Sequence, residues 1–381
     1  MVAILPIALC LAGGCWNYRE LNELALVAGV GVDYDERTNQ VELTIQLIKP
    51  SKVRAPEGGG GAGGGGKESA VLVEQTRGRT VFDAVRNFVE QTNRKLFWAH
   101  TQVIVLGEGA ARRGARSVLD FFLRDHEPRP GIWVLVARGK AAETMKTVPE
   151  LESVPALEIG HLVEARAATS EASGVTLQEF ASRLMSRTAA PVTGFLETRG
   201  EEGKEAVLTG TAVFKGDRLI GELDRKETRG LLWVLGEVKS GIIDVQKNEK
   251  EIVGLEIIKA SGKVSPVLRG KRVRARVEIK AQTHLGDQLG SHDWSTPAGL
   301  EKLVRLQNEA IRREIRAAWS KARKLNADVF AFGEAVNRKY PRQWKKMEGK
   351  WESLFREVEL EIRVSTSIHG TGLIMAPAAP Q

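Results

Sequence analysis

A chain of 381 residues is too long for a single hydrophobic core and long enough for two or three domains. With 27% charged residues and a net charge of +8, it reads as globular and basic, suited to an anionic neighbour, either nucleic acid or a lipid surface. Its two cysteines, Cys10 and Cys15, both precede residue 16, which excludes an internal disulfide framework and a thiolate metal site in the rest of the chain.

Met1 to Gly14 are apolar or small and uncharged, a run too short to span a membrane but of the size of a signal-peptide core. Leu11-Ala12-Gly13-Gly14 leads directly into Cys15. A lipoprotein signal peptidase needs that arrangement, because small side chains fit its pocket and the following thiol takes the diacylglyceryl group. Cys10 follows the bulky Leu9 and competes poorly. The expectation is a signal peptide over 1–14 and a mature chain held to membrane lipid through acylated Cys15.

Leu24 to Asp33 and Gln40 to Lys49 read as strands around a turn at 34–39. Asp33 and Asp35 in that region lack the glycine and terminal glutamate of a calcium loop. Glu57 to Lys67 is nearly pure glycine, a solvated insertion. Its end imitates a phosphate-binding loop, but Glu68 stands where a magnesium-binding hydroxyl is required. Ser69 to Gln75 is a strand, and a helix begins at Thr80 with Phe82, Val85 and Val89 on one face. A strand at Thr101–Leu106, a helix at Ala110–Arg124 and a strand at Ile132–Ala137 follow, an alternation that predicts a mixed sheet with helices packed on it.

Lys140 to about Gly194 is helix-rich, and Ala206–Phe214 with Arg218–Leu223 forms a second hairpin. A helix near Lys226 precedes strands at Gly241–Lys259 and Val273–Thr283. Thr296 to Leu325 carries the longest helical stripe: Leu303, Ile311, Ala318, Ala322 and Leu325, with Arg305, Arg312 and Arg316 off it. Helices at Ala327–Lys339 and Gln343–Phe355 and a strand at Glu357–Ser367 close the chain. The predicted fold class is α+β or mixed α/β in three domains (15–139, 140–222 and 223–375), each a mixed or antiparallel sheet flanked by helices.

No H-E-x-x-H, G-x-S-x-G or S-x-x-K occurs, and an acylated Cys15 leaves no nucleophilic thiol. His284 and His292, with Asp287 and Asp293, match no standard metal spacing and read as a polar loop. These patterns imply a protein that is not an enzyme and has no cofactor. Arg272, Arg274, Arg276 and Lys280 alternate with Val273, Ala275, Val277 and Ile279, a strand with one buried and one solvated cationic face. Without interleaved aromatics it does not suit nucleic acid, and anionic lipid or an acidic partner is the better counterpart. Trp344, Trp351 and Phe355 fall on one helical face, either clamping it to a sheet or docking a partner.

Gly14-Cys15-Trp16-Asn17-Tyr18-Arg19-Glu20 resembles the mature start of the C-subunit lipoproteins of spore germination receptors (the Ger(x)C family). His100 to Ile104, Gly210 to Gly241 and Ala327 to Gly372 are similar to further stretches of that family in the same order. The glycine insertion and His369 depart from its pattern. The resemblance implies lipidation at Cys15 and three α/β domains on the outer face of the inner spore membrane. It also implies assembly with membrane-embedded A and B subunits, with no catalytic activity. Candidate partner contacts are Trp16, Arg19 and Glu20, the arginines 272, 274 and 276 (Arg272, Arg274, Arg276) and Trp351. The competing reading is a solute-binding lipoprotein of a membrane transporter.

Overall fold

In the computed structural model, which describes residues 23–49, 70–92, 94–149, 152–200, 205–248, 251–270, 272–290 and 292–370, the first hairpin forms where the two β-rich runs placed it. β1 (Leu24–Asp35) pairs antiparallel with β2 (Gln40–Ile48), and β3 (Val71–Gly78) adds to β2. Cys15, Trp16, Arg19, Glu20 and the insertion 57–67 lie outside the described residues.

α1 (Val81–Gln91) starts at Thr80, whose hydroxyl accepts the Asp83 N–H at 3.1 Å. It buries Val81, Ala84, Val85 and Phe88, while Phe82 and Val89 are exposed, so the expected face is corrected by rotation. Gly78 is the cause: a Cβ there would stand 2.3 Å from the Ala84 nitrogen, so the helix lies directly on β3 and turns Ala84 inward. β4 (Lys95–Phe97) runs parallel to the start of β1, and β5 (Val103–Gly107) follows. The expected helix 110–124 is two helices, α2 (Glu108–Arg113) and α3 (Ala115–Arg124), broken at Gly114 with φ +150°.

β6 (Trp133–Ala137), α4 (Ala141–Thr144), α5 (Pro155–Ala165), β7 (Val175–Thr176) and α6 (Leu177–Met185) lead into β8 (Val192–Arg199), β9 (Glu205–Lys215) and β10 (Arg218–Leu223). The long sheet runs β10-β9-β8-β6-β5-β1-β2-β3. Its four central strands, β8, β6, β5 and β1, are parallel. They read as continuous apolar runs because helices cover both faces. α1, α2, α3 and α6 contribute to the core on one face. α4 and α5 supply Ala141, Ala156, Ile159 and Val163 on the other. Segment 140–222 therefore contributes its strands to the sheet begun by 24–137 and builds no sheet of its own. β8 goes parallel beside β6, and a parallel neighbour requires the intervening helices as crossover. Asp33, in the region set aside as a calcium loop, is buried and accepts the Ala141 and Ala142 N–H groups at 2.9 and 2.8 Å, capping α4.

The second module begins with α7 (Arg225–Leu235), started by an Asp224–Glu227 capping box and ended at Gly236 in the left-handed region. The expected strand 241–259 is a hairpin between β11 (Ile242–Asn248) and β12 (Glu251–Arg269), and β12 pairs along its length with β13 (Arg272–Leu289). α8 (Pro297–Leu325) buries Leu303, Ile311, Ala318 and Ala322 as its periodicity requires. It crosses α7 at Gly230, where a Cβ would meet the Glu314 carbonyl oxygen at 2.1 Å. Residues 327–331 are not helical as expected, since Asp328 bridges to Ala189 of the first module. α9 (Phe332–Lys339), α10 (Pro341–Met347), a 3₁₀ turn and α11 (Trp351–Arg356) then lead to β14 (Glu359–Ile368), parallel to β13. The second sheet runs β11-β12-β13-β14. Its core also takes in Ala190, Val192, Val213 and Leu223, so the two modules share apolar packing. The architecture is the mixed, multi-domain α+β fold that the sequence predicts.

Candidate functional site

On β13 the side chains of Arg272, Arg274 and Arg276 leave the core face, as alternation requires. Their charge does not stand free. Parallel pairing sets Glu359 opposite Arg274 and Glu361 opposite Arg276, with ion pairs of 2.8 and 3.3 Å. The hydrogen bond from Arg274 holds the Glu359 carboxyl below its ordinary pKa. One step on, Glu278 lies between Lys263 and Arg363 in register. The face is a lattice of alternating sign and not the cationic surface expected from one strand. Among the described register pairs of β12, β13 and β14, like charges meet at the hairpin tip, where Arg272 is paired with Arg269 around Gly270.

Trp344, Trp351 and Phe355 are buried, and they sit on two helices separated by the 3₁₀ turn. The Trp344 and Trp351 rings meet edge to face at 5.2 Å, and Phe355 packs against Trp319 at the same centroid distance of 5.2 Å. Trp351 turns its indole N–H onto Asp328 at 3.0 Å. The same carboxylate accepts the Phe332 N–H at 2.9 Å and the Gly333 N–H at 2.8 Å. Burial pushes the Asp328 pKa up to about 6, against the pull of those three bonds and of Arg183. Its own carbonyl takes the Ala190 N–H at 3.0 Å. Trp351 thus belongs to the joint between the modules and is not open to a partner.

A second polar knot was not legible as such. Arg229 on α7 places Nε 3.0 Å from Glu314 on α8 and makes a second, parallel bond through Nη2. Trp233 Nε1 donates to the same carboxylate at 2.9 Å, and Arg229 Nη1 donates to the Ile242 carbonyl at 2.8 Å. Burial opposes the Arg229 charge, but the Glu314 bonds outweigh it and hold the pKa above its ordinary value. The available signal was Glu314 itself, three residues after Ile311 and so on the apolar stripe of α8.

Among the described residues no group of His, Cys, Asp and Glu side chains is placed to hold a metal ion, and no helix is long and apolar enough to cross a membrane. Of the four residues read as a polar loop, His284 and Asp287 lie on β13 instead, paired with Glu256 and Gly254 of β12. His292 and Asp293 follow the strand: His292 packs edge-on against Trp294 at 4.6 Å, and Asp293 accepts the Ser295 N–H at 2.8 Å.

Comparison with known proteins bears on this fold. Residues 17–198 match the family model of the spore germination protein N-terminal domain, and residues 209–372 match that of the spore germination B3/GerAC-like C-terminal domain. The chain belongs to the GerAC-like spore germination family. It is 27% identical to spore germination protein KC of Bacillus subtilis (strain 168), over 100% of this chain and 98% of that protein. Spore germination proteins B3 and A3 of the same organism are 23% and 24% identical, each over 97% of this chain and over 96% and 98% of their own length. The crystal structure of the GerBC protein has the same fold, with a TM-score of 0.57 at 20% identity over 89% of this chain and 96% of that one. The matched models and relatives are all named as spore germination proteins. Its two models meet between β8 and β9, which are hydrogen-bonded neighbours, so the family boundary falls inside the long sheet.

Proposed function

We propose that this chain is the lipid-anchored, non-catalytic subunit of a nutrient-sensing spore germination receptor. Acylated Cys15 holds it on the outer face of the inner spore membrane, where it assembles with membrane-embedded A and B subunits. The observation that carries the reading is the match of both germination-protein models in order, from residue 17 to residue 372. The small-residue run before Cys15 supports the anchor. Buried polar joints at Asp328 and at Arg229–Glu314 suit a rigid body that presents a surface to other subunits.

The test is a strain carrying Cys15→Ala. The variant is expected in the soluble fraction, with nutrient germination lost and co-purification of the membrane subunits abolished. A variant that stays in the membrane fraction and still supports germination overturns the anchor. A wild-type protein that never co-purifies with the other subunits overturns the receptor reading in favour of a solute-binding lipoprotein.

A further inference from the structure

A cleft of about 390 Å³ opens between the modules, outside the joints described above. One wall is the loop 166–175 with α6, and the other is the end of α7 with residues 237–239. Its charged lining is Arg166, Arg183 and Lys239 against Glu179 and Glu237. The volume falls in the range of small-molecule sites.

Both arginines are fixed in place by neutral partners. Arg166 donates through Nη2 to the Gly174 carbonyl at 3.1 Å and through Nη1 to Val163, and its guanidinium lies 5.1 Å from the centroid of the Trp133 ring. Gly174 is what admits it: a Cβ there would come within 3.0 Å of Arg166 Nε. Arg183 donates through Nη1 to the Ala190 carbonyl of the first module and to the Val329 carbonyl of the second, each at 3.0 Å. Among the described residues neither guanidinium lies within ion-pair distance of a carboxylate, whereas Arg229, Arg274 and Arg276 each have one. Burial lowers the pKa of both, outweighing the opposite pull of Glu237 and Glu179 across the cleft. Glu237 as a residue is exposed, yet burial pushes its carboxyl pKa up, with Arg183 pulling the other way.

Preorganised guanidinium groups with spare N–H donors are receptors for carboxylate. Glu179 and Glu237 line the same cleft and repel a second negative charge. Ser170, held at φ +53°, ties the two walls by donating through Oγ to the Ser240 carbonyl at 2.7 Å and accepting the Lys239 N–H at 3.2 Å. We propose that this cleft is a binding site for a small monocarboxylate, its carboxylate on Arg166 and Arg183 and its remaining groups neutral or cationic. Such a ligand touches both modules at once. The proposal does not rest on the lipid anchor or on assembly with other subunits.

The test is calorimetric titration of the full chain in detergent with 4-aminobutyrate, butyrate, succinate and butylammonium at matched ionic strength. Binding of butyrate and 4-aminobutyrate is expected, with succinate weaker and butylammonium silent. Arg166→Gln and Arg183→Gln should each weaken binding by about tenfold or more, the worth of a charge-assisted hydrogen bond. Glu237→Gln should narrow the gap between succinate and 4-aminobutyrate. Because Arg183 also bonds both modules, Arg166→Gln decides the matter if the other variant does not fold. Silence of both monocarboxylates with the wild-type chain, or affinities that survive Arg166→Gln unchanged, overturns the site.

Discussion

Glu314, between α7 and α8, and Asp328, where the second module meets the first, are both buried carboxylates held by three or more hydrogen bonds. Glu314 faces a guanidinium in bidentate geometry, so its charge is met by an opposite charge. Asp328 accepts from two backbone N–H groups and an indole, with Arg183 acting on it without a hydrogen bond, and its pKa has risen to about 6. A matched ion pair meets a buried acid with an opposite charge. Neutral donors hold one in place without fully compensating the loss of water.

The sharpest way to break the comparison is Arg229→Ala. It leaves Glu314 buried without its cation, and thermal or urea unfolding should show a loss of about 3–5 kcal/mol. The double variant Arg229→Met with Glu314→Leu should recover most of that loss, since two apolar groups need no partner. If the single variant unfolds like the wild type, the bidentate pair does not hold α7 on α8.

Asp328 should show itself through pH. Its folded pKa of about 6 lies above the unfolded value of 3.8, so the folded state takes up the proton first as pH falls. The contribution of this group to stability therefore grows from about pH 6 downward and is complete below 3.8. Asp328→Asn removes that dependence along with one acceptor. The stability difference between wild type and variant should be larger at pH 5 than at pH 7, by roughly 1 kcal/mol. A constant difference would mean that Asp328 titrates as an ordinary carboxylate.

The smallest effect belongs to the solvent face of the second sheet. Arg274→Ala breaks an exposed cross-strand pair and should leave the melting temperature nearly unchanged, because water replaces the lost partner. Loss of co-purification with the membrane subunits in that variant, at unchanged melting temperature, would assign the lattice of charges to recognition.

The elements themselves were legible in the chain because their signals are local. The hairpin of β1 and β2 follows from two β-rich runs around a turn, and α8 follows from Leu303, Ile311, Ala318 and Ala322 at helical spacing. The small-residue approach to Cys15, and the family that its surroundings resemble, are likewise properties of order along the chain. What tertiary structure decided is the company each charge keeps. Arg274 reads as a free cation until β14, 85 residues later, sets Glu359 beside it. Trp351 is ambiguous as a spacing and becomes a core residue only because Asp328 and the first module close over it. Arg166 and Arg183 look like any helix-end arginines, and only the meeting of two modules puts both into one cleft, each bonded to carbonyl groups. Periodicity acts over one or two turns of chain, whereas charge compensation acts through space, so the sequence determined the elements and the fold determined the electrostatics.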